Sequence, residues 1–125
     1  MALKVFLVED DEAYAEFIKK SLRTKYQIYS FRTGEDCLVT LKSIKPDVLI
    51  LDYNLPGMTG LDLYEESKAQ ITDDTKVIMM SAIDDGNLVL EFINKGLRDY
   101  VVKDEKVIQT LMSIIEGEDD IYFDD

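Results

Sequence analysis

The chain has 125 residues, of which 46% are hydrophobic, and this length and composition fit one compact domain. Its formal net charge at pH 7 is −12; six acids lie in the last ten residues, which leaves −6 on the rest. An acidic surface repels nucleic-acid phosphates and anionic lipid headgroups. We therefore expect this chain to bind neither nucleic acid nor a membrane directly.

Cys37 is the single cysteine and the sequence has no histidine. These counts exclude an internal disulfide, a cysteine-based metal cage and histidine-based acid–base chemistry. The apolar runs are far too short to span a membrane, and acids follow the N-terminal apolar residues too soon for a signal peptide. The sequence therefore predicts a cytoplasmic domain.

Five short apolar runs predict β-strands. Valine, isoleucine, leucine and aromatic residues dominate these runs, as is typical of strands that are covered on both faces. The predicted strands cover residues 4–8, 27–31, 48–51, 76–80 and 100–102.

The segments between these runs have helical periodicity. In the first of them, apolar residues recur at spacings of three and four from Ala13 to Leu22. A second helix opens at Thr33, which has capping-box spacing to Asp36, and a third begins near Thr59. The fourth follows Asp84 and Asp85 and stops at Gly96, and the fifth covers roughly residues 105–115.

This alternation of strands and helices predicts an α/β fold with a parallel sheet, in which ligands bind at the carboxyl ends of the strands. The polar residues at those ends are Glu9, Asp10, Asp11, Asp52, Ser81 and Lys103. Carboxylate oxygens suit Mg²⁺, and a cation beside a carboxylate nucleophile is what phosphoryl transfer to an aspartate requires. Taken singly, the acids have simpler explanations, because Glu9 to Asp11 could favour a helix start and Asp52 could form a turn.

Four motifs occur in order, one at the end of each of four strands: "LVEDD", "LILDYNLPGMTG", "VIMMSA" and "DYVVK". With these motifs the chain resembles the receiver domain of two-component response regulators over about residues 3–116. The resemblance implies a flavodoxin-like, doubly wound, five-stranded parallel sheet of order 2-1-3-4-5 with five helices on both faces. It implies a receiver domain at residues 1–116, followed by an acidic tail at 117–125 that is disordered or the stub of a linker.

The resemblance also implies roles for site residues. Asp52 is the expected phosphoacceptor, and Mg²⁺, for which Mn²⁺ is a substitute, is the expected cofactor. Asp10 and Asp52 would bind the ion directly, Glu9 through a water molecule, and Asn54 through its backbone carbonyl. Pro56 would stiffen the turn after the acceptor.

Four further residues complete the expected site. Ser81 and Lys103 would bind the phosphoryl group, and Tyr100 matches the aromatic residue whose rotamer reports phosphorylation. Ile83, two residues after Ser81, is expected to slow the access of water and so to lengthen the phosphorylated lifetime; Asn54 is a second residue expected to modulate rates.

The expected partners follow from the same resemblance. A sensor histidine kinase or a histidine phosphotransfer protein would donate the phosphoryl group, and an output domain or protein would receive the signal. The chain would be a switch rather than an enzyme, limited to self-phosphorylation from small phosphodonors and slow self-dephosphorylation. The face built from the fourth helix, fifth strand and fifth helix would bind the partner or form a homodimer.

Surplus apolar residues on these two helices have two interpretations, a partner surface or a broad buried face. The residues concerned are Leu88, Val89, Leu90, Phe92 and Ile93 in the fourth helix, and Val107 and Ile114 in the fifth.

Asp104 departs from the family pattern, in which proline commonly follows the lysine through a cis peptide bond. A cis bond before a residue other than proline costs roughly 3 kcal/mol. The bond is therefore expected to be trans, with a shifted Lys103, or cis and strained. Asp104 is also a candidate cap for the fifth helix.

Two other functions remain open. One is a pseudo-receiver that binds partners without being phosphorylated. The other is an aspartate phosphatase of the haloacid-dehalogenase type, whose nucleophile follows the first strand and normally has a second aspartate two residues later. Here Asp52 follows the third strand and Asn54 holds that second position.

Overall fold

The computed structural model of the protein describes residues 2–117. The strands are β1 (Lys4–Val8), β2 (Gln27–Phe31), β3 (Val48–Asp52), β4 (Asn54–Leu55), β5 (Met58–Thr59), β6 (Lys76–Ser81) and β7 (Asp99–Val102). The helices are α1 (Glu12–Leu22), α2 (Gly34–Leu41), α3 (Gly60–Ser67), α4 (Gly86–Asn94) and α5 (Val107–Ile115). Within this part of the chain no helix has the length and apolar character needed to cross a membrane. Apart from Gly117, the predicted acidic tail lies outside the described residues.

Five strands form one parallel sheet in the order β2-β1-β3-β6-β7. The strands β4 and β5 pair with each other as a small antiparallel hairpin and take no part in this sheet. The fourth and fifth sheet strands are therefore β6 and β7, and the predicted order and fold class are confirmed. In this order β3 is central, with β1 and β6 as its neighbours.

The core lies in two layers, one on each face of the sheet. Alternate strand residues point to opposite faces, so that Val5 and Leu7 pack with α1 and α5 while Phe6 and Val8 pack with α2, α3 and α4. All five residues of β3 are buried. This two-sided burial explains why the strand reads as an unbroken apolar run.

Side-chain caps fix the starts of four helices. Asp11, Thr33, Thr59 and Asp85 each accept a hydrogen bond from a backbone N–H in the first turn of the following helix. Gly96, with φ of +97°, follows α4 as predicted.

The prediction that Asp104 caps the last helix is wrong. The N-cap position of α5 is Lys106, which makes no side-chain capping bond, and Asp104 Oδ1 accepts from the Lys106 backbone N at 2.9 Å. Asp104 therefore closes the turn before the helix. All peptide bonds in the described part of the chain are trans, including the bond between Lys103 and Asp104.

Three of the apolar residues considered as surplus, Val107, Ile114 and Phe92, are in the core. Val107 and Ile114 are 1% and 7% exposed, because α5 packs against both the sheet and α1. The partner-surface interpretation is therefore wrong for all three residues. On α4, in contrast, Leu90 and Ile93 are 59% and 57% exposed, and Phe92 is the buried residue of the helix.

Candidate functional site

Three carboxylates meet at the carboxyl edge of the sheet. Val8 of β1 is in register with Leu51 of β3. The residues that follow them, Glu9 and Asp52, therefore lie side by side. One ligand oxygen from each of Glu9, Asp10 and Asp52 lies within 4.8 Å of the other two. Glu9 and Asp52 are 1% and 3% exposed, whereas Asp10 is exposed. The acids predicted from the strand ends are thus brought together.

Lys103 lies among these carboxylates. Its Nζ is 2.6 Å from Glu9 Oε1 and 3.2 Å from Asp52 Oδ1. Burial opposes the charge on the amine, but the hydrogen bond to Glu9 and the negative charge of Asp52 outweigh it and raise the pKa of Lys103. The trans bond to Asp104 does not carry the lysine away from the site.

Glu9 has an unusual environment for a carboxylate. Burial raises its pKa from 4.5 to about 7, and the charge of Asp52 adds to this effect. The hydrogen bonds from Lys103 and from the Asp11 backbone N–H, at 3.1 Å, oppose it. The protonated form of Glu9 is therefore favoured more than that of an exposed glutamic acid, and a cation placed beside it would favour the charged form.

The chain makes a tight turn directly after Asp52, and this turn fixes the position of the aspartate. The Asn54 backbone N donates to Asp52 Oδ1 at 3.4 Å, and Gly60 N donates to the Tyr53 carbonyl at 2.7 Å. A Cβ atom at Gly60 would lie 2.5 Å from the Asp52 carbonyl oxygen and 2.9 Å from the Tyr53 Cα. This position therefore requires glycine. The sequence predicted a stiff turn at Pro56 and Gly57 but did not identify Gly60.

Ser81 and Tyr100 are joined through the backbone of Ile83. Ser81 is fully buried, and its Oγ accepts from the Ile83 N at 3.2 Å. The Tyr100 hydroxyl donates to the Ile83 carbonyl, and its ring centroid lies 5.4 Å from that of Phe92. A serine hydroxyl can accept and donate at once, so Ser81 keeps its proton for another acceptor.

The donor set of the site fits a divalent cation. Glu9, Asp10 and Asp52 supply carboxylate oxygens, which hard cations prefer, while Lys103 supplies one positive charge. Three close carboxylates beside one ammonium leave excess negative charge in a partly buried place. A bound divalent ion would balance that excess.

Tyr14 is a second residue that the sequence did not place at the site. It belongs to the predicted apolar stripe of α1, yet its ring lies under the amine of Lys103, with 4.7 Å between Nζ and the ring centroid. The two residues are 89 positions apart, and no pattern in the sequence indicated their contact.

Comparison with known proteins gives one family. A model of the response regulator receiver domain matches residues 5–116. The chain is 32% identical over 103 residues to the chemotaxis protein CheY of Thermotoga maritima, a match that covers 80% of this chain and 85% of that protein. It is 33% identical over 100 residues to the transcriptional regulatory protein AfsQ1 of Streptomyces coelicolor, covering 79% of this chain and 44% of that protein.

A solved structure agrees with these relatives. The response regulator protein TrrA of Thermotoga maritima, in complex with Mg²⁺-BeF, has a TM-score of 0.78 and 26% identity, over 93% of this chain and 98% of that chain. The fold, the acidic pocket and the relatives lead to the same conclusion. The chain belongs to the response regulator receiver domains, a family of signalling switches in two-component signal transduction.

Proposed function

We propose that this receiver is a phosphorylation switch in which Asp52 accepts a phosphoryl group from a phosphohistidine. The donor would be a sensor histidine kinase or a histidine phosphotransfer protein. The observation that carries the proposal is the position of Asp52, 3% exposed, next to Glu9 and Asp10 and 3.2 Å from the amine of Lys103.

The proposed step forms an acyl phosphate. An Asp52 carboxylate oxygen attacks phosphorus, the bond between phosphorus and the imidazole nitrogen breaks, and that nitrogen keeps the electron pair. Lys103 balances the negative charge on Asp52 before the step and on the phosphoryl oxygens after it. The Ser81 hydroxyl donates its proton in a hydrogen bond to a phosphoryl oxygen.

The residues that would hold a metal follow from the donor set. Asp10 and Asp52 are proposed as direct ligands, Glu9 as a ligand through water and the Asn54 carbonyl as a further oxygen. Mg²⁺, or Mn²⁺ in its place, would supply positive charge beside the phosphoryl group when bound. The Mg²⁺-BeF complex named for TrrA supports this choice.

The acyl phosphate is expected to decay slowly. The chain has no histidine to serve as a base for attacking water. Ile83 lies two residues after Ser81 and its side chain is 56% exposed, so we propose that it impedes the access of water to the site. Asn54 is the second residue proposed to influence the rate of dephosphorylation.

Output is proposed to leave through the face formed by α4, β7 and α5. The bond from Tyr100 to the Ile83 carbonyl connects this face to the loop after Ser81, and Leu90 and Ile93 offer apolar surface on α4. An output protein, a covalently attached output domain or a second copy of the chain would bind here. We propose that the protein acts in the cytoplasm and that it does not contact nucleic acid or a membrane directly.

The test is covalent labelling followed by intact-mass measurement. The purified chain is incubated with acetyl phosphate and Mg²⁺, beside Asp52→Asn and the matched variant Asp73→Asn. Asp73 is an exposed carboxylate in the loop that enters the opposite edge of the sheet. We expect one added phosphoryl group on the wild type and on Asp73→Asn, and none on Asp52→Asn.

Two results would refute the switch. A wild-type chain that gains no phosphoryl group with acetyl phosphate or with a phosphorylated histidine donor is a pseudo-receiver. Steady release of inorganic phosphate from a phosphate ester identifies an aspartate phosphatase of the haloacid-dehalogenase type instead.

A further inference from the structure

The Tyr14 side chain sits against the amine of the site without being one of its oxygen ligands. The 4.7 Å between the Lys103 Nζ and the Tyr14 ring centroid is within the range of a cation–π interaction. The backbone N of Tyr14 is bound to the Asp11 cap at 3.1 Å, and the ring packs on Phe17 and the core layer of α1 and α5. The ring is therefore fixed in place by helix α1.

The hydroxyl of Tyr14 makes no favourable contact that would account for a tyrosine at this position. It is buried, and no residue between 2 and 117 provides a hydrogen-bond partner for it. A buried hydroxyl without a partner is unfavourable. Burial also raises the pKa of Tyr14, so the ring is neutral at physiological pH. The contribution of this side chain at the site therefore comes from its ring.

The amine of Lys103 has competing partners. Its distance to Glu9 Oε1, 2.6 Å, is shorter than its distance to Asp52 Oδ1, 3.2 Å. Lysine carries its charge on a long flexible stem, and fixing that stem loses rotamer entropy. An aromatic face attracts an ammonium without offering an oxygen that would compete with a phosphoryl group for its N–H donors.

We infer that Tyr14 is a positioning residue, which holds the Lys103 amine beside Asp52 and so speeds the transfer of the phosphoryl group. The inference rests on the proposed function, because it requires that Asp52 be phosphorylated. Restraining the amine before the reaction reduces the ordering that the transition state demands. Binding of the metal should not change, because the ring contacts the lysine and not the carboxylates that would hold the ion.

The experiment compares four variants. Tyr14→Leu and Tyr14→Met remove the ring, Tyr14→Phe keeps the ring and removes the hydroxyl, and Tyr29→Leu removes a ring from the other core layer. Tyr29 is a suitable control because it is half-buried like Tyr14, but its ring packs on Phe6 in the other core layer, with 5.3 Å between the ring centroids. For each protein we would measure the rate constant of phosphorylation by acetyl phosphate at saturating Mg²⁺, the Mg²⁺ dissociation constant by calorimetry, and the thermal midpoint.

Loss of the ring should slow phosphorylation by roughly three- to tenfold in Tyr14→Leu and Tyr14→Met. The Mg²⁺ dissociation constant should stay within about twofold, since it does not depend on the ring. Tyr14→Phe, which keeps the ring, and Tyr29→Leu, which leaves the contact with Lys103 intact, should both phosphorylate at the wild-type rate. In a Lys103→Met background, Tyr14→Leu should cause no further loss, because its effect passes through the lysine.

Several outcomes would overturn this inference alone. They are a wild-type rate in Tyr14→Leu and Tyr14→Met, an equal loss in Tyr14→Phe, and an undiminished loss in the Lys103→Met background. If Tyr14→Leu melts below the assay temperature, Tyr14→Met, whose longer side chain fills more of the space, supplies the comparison. A wild-type chain that cannot be phosphorylated refutes the proposed function itself, and the role of Tyr14 with it.

Discussion

The amine of Lys103 donates a hydrogen bond to the buried carboxylate of Glu9, with 2.6 Å between Nζ and Oε1. The bond joins the end of β7 to the end of β1 across β3 and β6. Because the Lys103 side chain is 16% exposed and that of Glu9 is 1% exposed, water can replace little of what either partner provides. We therefore expect the loss of either partner to change the free energy of unfolding as well as the chemistry of the site.

Replacing Lys103 by methionine should destabilise the protein in the absence of metal. The change leaves two buried carboxylates, Glu9 and Asp52, without their cation, and losing one partner of a buried pair costs up to roughly 3 kcal/mol. Chemical unfolding followed by circular dichroism measures this loss. Saturating Mg²⁺ should return part of it.

The control for this prediction is Lys106→Met, which removes an exposed amine three residues away. It should change the unfolding free energy little. An equal loss in both variants would show that the Glu9 contact does not stabilise the fold. The double variant Glu9→Gln with Lys103→Met should be more stable than Lys103→Met alone.

The stability of the metal-free protein should depend on the protonation of Glu9. Its pKa is about 7 in the folded protein and 4.5 in the unfolded reference, so between these values the folded state binds more protons. The contribution of Glu9 to stability is therefore fully present below about pH 4.5 and is lost as pH rises to about 7. Glu9→Gln, which cannot lose a proton, should gain stability relative to wild type across this window.

Thermal midpoints of the two proteins from pH 4 to 8 measure this difference, which should amount to several degrees. The comparison cancels the titrating groups that do not contact Glu9, because their surroundings are the same in both proteins. A difference that is constant with pH would mean that Glu9 is not the group responsible.

Asp10 and Asp11 provide a matched pair for the metal site. Asp10 is one of the three clustered carboxylates, whereas Asp11 Oδ1 accepts from the Tyr14 backbone N as the cap of α1. Asp10→Asn should weaken Mg²⁺ binding about tenfold or more, because it replaces a charged ligand. Asp11→Asn keeps a capping oxygen and should bind Mg²⁺ nearly as tightly as wild type. Calorimetric titration measures both, and equal weakening would contradict the assignment of Asp10.

The lifetime of the phosphorylated state should depend on Ile83. A carboxylate in place of this exposed side chain could orient and activate water, so Ile83→Glu should shorten the lifetime severalfold. Ile93→Glu is the matched control, because Ile93 on α4 is 57% exposed and Ile83 is 56% exposed. Loss of label from the isolated phosphoprotein gives the decay rate, and an unchanged rate in Ile83→Glu would refute this role.

The sequence predicted the sheet because its strands are covered on both faces. Strands of this kind appear as continuous apolar runs, and β1 and β2 have the predicted bounds. The strands β3 and β6 extend one residue further than predicted, to Asp52 and Ser81. Backbone pairing continues past the apolar run, since the Tyr53 N donates to the Met80 carbonyl at 2.8 Å. The first polar residue after each apolar run, Asp52 or Ser81, is therefore still part of the strand, although the sequence prediction ended the strand before it.

The site residues came from the strand ends, where the chemistry could be read from residue type and position. Contacts between different helices and strands could not be predicted from the sequence. Periodicity placed Val107 and Ile114 on α5 but could not show that α1 covers them. In the same way it placed Tyr14 on the core side of α1 without indicating the lysine above its ring.

Helix α4 has one deeply buried anchor, Phe92, which is 1% exposed. The ring of Phe92 lies 5.5 Å from Tyr53, the residue after Asp52, and 5.4 Å from Tyr100. A rod of nine residues, about 13 Å long, can tilt about one such pivot while uncovering little apolar surface. A displacement of either tyrosine ring would therefore reach α4 through Phe92, and with it the exposed Leu90 and Ile93.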